Sequence, residues 1–267
     1  MSHAWTGIRA PMYAQCRAME QQTLVSISVD SHHPASLVAQ LLSDMVAYFT
    51  LPVEVILTLN VPEELPFDVA TFRFPIRVVS NTQPKGFGAN HNAAHVLANG
   101  EYFCVMNPDI RFAQDPLPTL IESLREKSIG VTGPLIVNPT GGVEDSARKF
   151  PTPVQIIKKA LFGASGPEYI PGTEPLYPDW IAGMFMVFRT AVFRDVGGFD
   201  EGYFLYYEDV DLCWRLRQRD YGVLLISSAM ALHDARRQSH RNIRYMAWHL
   251  SSMLRFFWKR ASSARRG

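Results

Sequence analysis

The chain has 267 residues, enough for one large domain or two small ones, with 47% hydrophobic and 19% charged side chains. That composition is globular and excludes collagen-like, coiled-coil and wholly disordered chains. The net charge of +1 divides into a basic stretch over 236–267, with nine Lys or Arg and no acid, and a remainder with 17 basic and 25 acidic residues, which argues against nucleic-acid binding by the body.

Residues 1–22 have weak periodicity and read as a poorly ordered leader or a short helix. Thr23–Val29 alternates and is β-branched, so it reads as a first strand. Pro34 suits the first turn of a helix to about Phe49, with Leu37, Leu41, Leu42 and Met45 on one face. Val53–Leu59 is a second strand, Val61–Phe74 a proline-marked loop, and Ile76–Ser80 a third strand. A Gly/Asn-rich turn and a helix to about Ala98 follow. Tyr102–Met106 is continuously apolar, as a buried parallel strand should be. Leu117–Lys127 reads as helix and Ile129–Val137 as the fifth strand.

The second half is less regular. Residues 138–178 are rich in Gly and Pro and read as a mobile crossover. Trp180–Arg189 reads as one strand, followed by a short helix ending at Gly197-Gly198 and an aromatic loop over Phe199–Tyr207. Glu208–Asp220 is a helix with Leu212, Cys213 and Leu216 inward. Val223–Ser227 is a last strand and Asn242–Arg260 a C-terminal helix. The first half thus has the βαβαβ order of a nucleotide-binding α/β sheet, whose ligand lies at the carboxyl ends of the strands. Asp30, Asn60, Asn81 and the pair Asn107/Asp109 fall at such ends.

Three widely spaced cysteines make neither a disulfide framework nor a CxxC zinc site, as expected in a reducing compartment. The apolar runs are shorter than the ~20 residues of a membrane-spanning helix. These features predict a soluble, cytoplasmic protein.

Several residues are candidates for chemistry. Asp109, leaving a buried strand in Asn107-Pro108-Asp109, is placed either to hold a divalent cation that bridges a diphosphate or simply to cap a turn. Pro84–Asn92 offers backbone amides and Lys85 to a phosphate, or is a Gly-rich strand–helix turn. Glu208, Asp209 and Asp211 open a helix behind five aromatics. The helix dipole favours such acids by itself. Asp211 and Arg215 also form an i,i+4 pair. Asp209 is the candidate general base. His233 follows the last strand beside Asp234, as a structural residue or a ligand.

The segments VSISVDSHHP, VVSNTQPKGFGANHNAAH, YFCVMNPDIRF, WIAGMFMVFRTAVFRDVGGFDEGYFLYYEDVDLCWRLRQRDYG and the strand ending ALHD, in this order over about Thr23–Asp234, resemble glycosyltransferase family 2, and most closely its bacterial rhamnosyltransferase branch. The resemblance implies a GT-A fold over 23–235, a Rossmann-like, mostly parallel sheet with an acceptor-binding second half. Residues 236–267 then form a basic amphipathic helix and tail. The implied reaction is inverting transfer from a nucleotide diphosphate sugar with Mg²⁺ or Mn²⁺, to a saccharide or polyprenyl-diphosphate-linked acceptor, with no nucleic acid involved. Asn107 and Asp109 stand where the family carries its DxD motif, so Asp109 is the expected metal ligand, with His233 completing the site. Asp209 matches the catalytic base. Gly86, Gly88 and Asn92 match the loop beside the nucleotide, and Asp30, Asn60 and Lys85 are grouped with them as donor-binding. Family members often read the base with an Asp after the second strand; here the segment is Leu57-Thr58-Leu59-Asn60. Trp180, Tyr203 and Tyr206, with Glu208, are expected on the acceptor side, the aromatics as a sugar platform or as core. The C-terminal helix is expected either to meet the inner face of the cytoplasmic membrane, where a lipid-linked acceptor lies, or to pack on the body. A metal-dependent nucleotidyltransferase and a non-catalytic nucleotide-sugar-binding partner are the rival readings.

Overall fold

A computed structural model of the chain describes residues 22–163, 168–234 and 243–264. The expected leader and Arg236, Arg237, Arg241, Arg265 and Arg266 of the basic stretch lie outside the described residues.

An eight-stranded sheet runs through the molecule in the order β3-β2-β1-β4-β9-β6-β10-β5. Its first half is β1 (Val25–Ser31), β2 (Val53–Leu59), β3 (Ile76–Ser80) and β4 (Tyr102–Met106), all parallel to one another. In β4, Cys104 and Met106 join the core on one face, and Phe103 and Val105 join the core on the other. Burial on both faces is why this strand has no polar alternation. The first face is covered by α1 (Ala35–Tyr48) and α3 (Leu117–Leu124), which bury Val38, Leu41, Leu42 and Met45 and Leu117, Leu120 and Leu124. On the other face lie α2 (Phe87–Val96), α5 (Thr190–Asp195) and α6 (Glu208–Arg217), where Leu212, Cys213 and Leu216 point inward as the periodicity predicts.

The second half departs from the sequence reading in three places. Trp180–Arg189 is not one strand. It breaks at Ala182-Gly183-Met184 into β8 (Trp180–Ile181), which pairs with β7 (Ala147–Arg148) in a small separate sheet, and β9 (Phe185–Arg189), which runs antiparallel between β4 and β6 (Ile129–Val137). The break has a cause: the Ala182 amide donates to the Ser146 carbonyl, in line with the β7–β8 pairing, and the Gly183 amide to the Asp209 carboxylate, so neither serves the ladder of the large sheet. The crossover over 138–178 holds β7 and α4 (Pro153–Phe162) rather than loop alone. The last strand, β10 (Gly222–His233), is longer than expected; it bulges between Ile226 and Met230, then pairs parallel with β6 and antiparallel with β5 (Ile110–Arg111). That extension carries His233 to the end of β4.

The C-terminal helix α7 (Ile243–Ala264) packs on the aromatic loop and α6. Phe256 is fully buried among Tyr203, Tyr207, Val210 and Trp214, a burial worth on the order of 2–3 kcal/mol. Lys259 bridges Asp200 at 2.9 Å and the wholly buried Asp211 at 2.6 Å, and Arg255 reaches Asp200. The buried Asp211 carboxylate thus meets both Lys259 and Arg215, which satisfies the pairing that a buried charge requires.

Candidate active site

The carboxyl ends of β1, β2, β3 and β4 share one edge of the sheet, which brings together Asp30, Asn60, Asn81 and Asn107/Asp109 as the βαβ reading requires. Three asparagines knit that edge. Asn90 donates to Asp30 at 3.0 Å, and Asn81 donates to Asn90 and Asn60 at 2.8 and 3.0 Å. Asn60 then clamps the Lys85 backbone, accepting from its amide at 2.8 Å and donating to its carbonyl at 3.0 Å. Asn60 is therefore a support for the turn that presents the exposed Lys85, and its side chain is spent inside the protein. The other oxygen of Asp30 is buried without a partner; burial lifts its carboxyl to about 7, with the Asn90 hydrogen bond opposing.

Gly86, Gly88 and Asn92 were expected beside the nucleotide. The structure shows what they touch within the protein. A Cβ on Gly86 would meet the Phe204 carbonyl oxygen at 2.7 Å, and one on Gly88 would meet Phe199 at 2.6 Å. Asn92 both accepts from the Phe199 amide and donates to its carbonyl, each at 2.9 Å, and reaches Glu201 at 3.0 Å. These three residues seat the aromatic loop against the turn, and the Phe87 amide completes the joint by donating to the Phe204 carbonyl.

At the end of β4, one Asp109 oxygen lies 3.3 Å from His233 Nε2, and the other is buried with no partner. His233 Nδ1 lies 2.8 Å from Glu144. Burial pulls the imidazole pKa down, but hydrogen bonds and charge from Asp109 and Glu144 outweigh it and lift it to about 9. A carboxylate with one unpartnered oxygen beside an imidazole nitrogen is an oxygen–nitrogen donor pair that Mn²⁺ or Mg²⁺ can take. The 3.3 Å between the other Asp109 oxygen and Nε2 is close to the ~3 Å between neighbouring ligands on an octahedral ion with bonds of ~2.1 Å. No cluster of three or more His, Cys, Asp or Glu forms a metal cage among the described residues. Such a pair suits an ion that completes its shell with water and substrate phosphate.

The base candidate lies one turn of chain away. Asn107 donates from its amide to the Met184 carbonyl at 2.9 Å, and the adjacent Gly183 amide donates to Asp209 at 2.9 Å. The Ala182–Met184 turn therefore joins the strand end that carries Asp109 to the acid. The second Asp209 oxygen accepts from the Val210 amide at 2.8 Å. Surrounding protein raises the Asp209 pKa above the ordinary carboxylate range, and those amides restrain the rise. Asp209 is partly accessible, whereas Glu208 is buried, with one oxygen unpartnered and its carboxyl pushed well upward by burial. Of the two acids, Asp209 is the less buried residue, with each carboxylate oxygen accepting one backbone amide.

The acceptor-side expectations divide. Tyr203 is wholly buried under α7 with its hydroxyl 3.4 Å from Asp211, and Glu208 is buried behind Asp209, so neither meets solvent. Trp180 is partly exposed; its indole donates to the Lys149 carbonyl at 2.9 Å and Arg148 lies over its ring. Tyr206 is partly exposed and packs on His249. Glu144, Gly183 and Arg148 are site residues that sequence reasoning missed. Glu144 and Arg148 sit in the irregular crossover, where no periodicity marks them; the Gly within the break at 182–184 was the only signal for Gly183.

Residues 31–194 match the profile described as Glycosyl transferase family 2. The chain is 34% identical to rhamnosyltransferase WbbL of Escherichia coli (strain K12) over 188 residues, covering 64% of this chain and 69% of that protein. It is 31% identical to the N-acetylglucosaminyl-diphospho-decaprenol L-rhamnosyltransferase of Mycobacterium tuberculosis (strain ATCC 25618 / H37Rv) over 225 residues, covering 75% of this chain and 72% of that one. Among solved structures, GalNAc-T7 with UDP, GalNAc and Mn²⁺ superposes with a TM-score of 0.64 at 15% identity, over 82% of this chain and 45% of that one. The mannosyltransferase PcManGT from Pyrobaculum calidifontis, in complex with GDP-Man and Mn²⁺, superposes with a TM-score of 0.58 at 16% identity, over 86% of this chain and 60% of that one. The chain thus spans about half the length of these solved chains, and the likeness identifies the fold as GT-A. Sheet, strand-end carboxylate and sequence kinship converge: the chain belongs to glycosyl transferase family 2 and is a glycosyltransferase.

Proposed function

We propose that this glycosyltransferase is inverting and metal-dependent, and that it moves rhamnose from dTDP-rhamnose to a hydroxyl of a saccharide or polyprenyl-diphosphate-linked acceptor in bacterial surface polysaccharide synthesis. The observation that carries this reading is the Asp109–His233 pair and the accessible Asp209, on two sides of one three-residue turn. Rhamnosyltransferases at 34% and 31% identity support the choice of sugar, and the decaprenol-linked substrate in the name of one supports the acceptor class. Asp109 and His233 would hold the Mg²⁺ or Mn²⁺ ion, which when bound offsets the negative charge that grows on the departing nucleoside diphosphate. Lys85, held out by Asn60, adds a cation at the same edge. Asp209 takes the proton from the acceptor hydroxyl. The hydroxyl oxygen then bonds to the anomeric carbon from the face opposite the diphosphate, that bond breaks, and the configuration inverts. Incubation with dTDP-, UDP- and GDP-sugars, Mg²⁺ and a lipid-diphosphate acceptor, with product anomers read by NMR, tests this. An inverted rhamnoside is expected. A retained configuration, pyrophosphate release from a nucleoside triphosphate, or binding without turnover refutes it.

The same reading places residues 23–235 as the catalytic unit and the C-terminal helix at the inner face of the cytoplasmic membrane. No helix among the described residues is long and apolar enough to cross a membrane. Yet while one face of α7 packs on the body, the other leaves Ile243 82%, Met246 67%, Leu250 53%, Leu254 59% and Trp258 71% exposed. These residues recur at helical spacing, beside basic side chains and without one acid from 236 to 267. A helix of that kind lies in a bilayer interface and gains about 1 kcal/mol per nearby Lys or Arg from anionic lipid. The full chain should co-sediment with vesicles containing phosphatidylglycerol, and Leu254→Ser with Trp258→Ser should release it without unfolding the body. An unaltered chain that stays in the supernatant at low salt rules the contact out.

A further inference from the structure

His233 stands between two carboxylates, and only one of them belongs to the strand end that faces the donor. Its Nε2 points at Asp109 and its Nδ1 at Glu144. Glu144 arrives there through a compact fold-back. Asn138 closes the turn, accepting from the Thr140 and Gly142 amides at 3.0 and 2.8 Å, with Gly141 at φ +81°, a conformation that favours glycine. Val143 then bridges Val137, and the Glu144 amide donates to the Ile136 carbonyl at 2.9 Å. Because Leu232 of β10 lies beside Val137, this fold-back sets Glu144 next to His233 across 89 residues of sequence.

An ionised carboxylate accepts hydrogen bonds and donates none. Both ring nitrogens face carboxylates, Nδ1 at 2.8 Å from Glu144 and Nε2 at 3.3 Å from Asp109; a cation at Asp109 would replace the hydrogen on Nε2, while the one on Nδ1 stays bonded to Glu144. The contact also fixes the ring plane. Glu144 meets the opposite ring nitrogen from Asp109, in keeping with the absence of a three-residue cage among the described residues.

We propose that Glu144 is a positioning residue: it holds His233 in the tautomer and orientation that present Nε2 to the cation shared with Asp109. The proposal rests on the metal-dependent reading above and adds a residue to it. Calorimetric titration of Mn²⁺ into the full chain saturated with dTDP provides the test, comparing the parent with Glu144→Gln, Glu144→Ala and His233→Ala. Glu144→Ala is expected to weaken Mn²⁺ by about 10–100-fold. Glu144→Gln keeps an oxygen that accepts from Nδ1 and should stay close to the parent. Binding of dTDP in EDTA should match across all four, since a merely structural role would move that as well as the Mn²⁺ affinity. If His233→Ala weakens Mn²⁺ while Glu144→Ala does not, the positioning role is overturned and the metal reading stands. Equal losses in the Gln and Ala variants also overturn it, because charge and not hydrogen-bond geometry would then be at work. No Mn²⁺ binding by the parent overturns the metal reading itself, and this proposal with it.

Discussion

Asp209→Asn is expected to lower turnover by about 10²–10⁴-fold while donor affinity stays near the parent value. Asparagine is nearly isosteric, and its carbonyl oxygen can still accept from the Gly183 amide, so the turn that joins base and metal strand should hold. What is lost is the proton acceptor. Glu208→Gln is the control, since Glu208 is buried and offers no carboxylate to solvent. Steady-state rates with saturating donor decide the matter: an active Asp209→Asn beside an inactive Glu208→Gln would transfer the role to Glu208. The pH profile adds a second readout. A base must be unprotonated, so the parent rate rises with pH through the Asp209 pKa and then levels. Burial raises that pKa, which places the rising limb above the ordinary carboxylate range. The limb should vanish in the asparagine variant.

Asp109→Ala is expected to reduce transfer to background and to weaken nucleoside diphosphate binding by about tenfold or more, roughly 1.4 kcal/mol, but only with Mg²⁺ present. The expectation follows from the carboxylate's two oxygens, one beside His233 and one buried without any partner. Removing a group that is half unsatisfied costs the fold little. The loss should therefore appear in the ligand and not in the melting temperature. Calorimetry with dTDP, with and without Mg²⁺, is the measurement. Identical affinities for variant and parent in Mg²⁺ would remove Asp109 from the metal site.

Much of the fold was legible because the chain writes it locally. Val53–Leu59, Ile76–Ser80, Tyr102–Met106 and Ile129–Val137 are strands with the boundaries read from the sequence, each an apolar or β-branched run ended by turn residues. Their carboxyl ends collect the polar residues that the βαβ order predicts. What was not legible depends on distant partners. The strand expected over Trp180–Arg189 breaks because Asp209, 26 residues on, takes the Gly183 amide. Glu144 matters only because β10 ends beside it. Gly86 and Gly88 look like a phosphate loop in sequence, and only the approach of Phe199 and Phe204 shows why a side chain is excluded there. Tyr203 had two readings, platform or core, and the fully buried Phe256 of α7 makes it core.

The position of β10 has a consequence for the order in which the enzyme is made. It slots between β6 and β5, and β5 pairs with nothing else in the sheet. The ribosome therefore releases Asp109 and the whole parallel half well before the strand that brings its imidazole partner. Until residue 233 emerges, β6 has a free edge, β5 has no neighbour in the sheet, and Asp109 lacks its imidazole partner. Contacts spanning more than 100 residues form late because the chain loop must close first. A nascent chain stalled before β10 therefore holds the parallel half of the sheet while the Asp109–His233 pair has still to form.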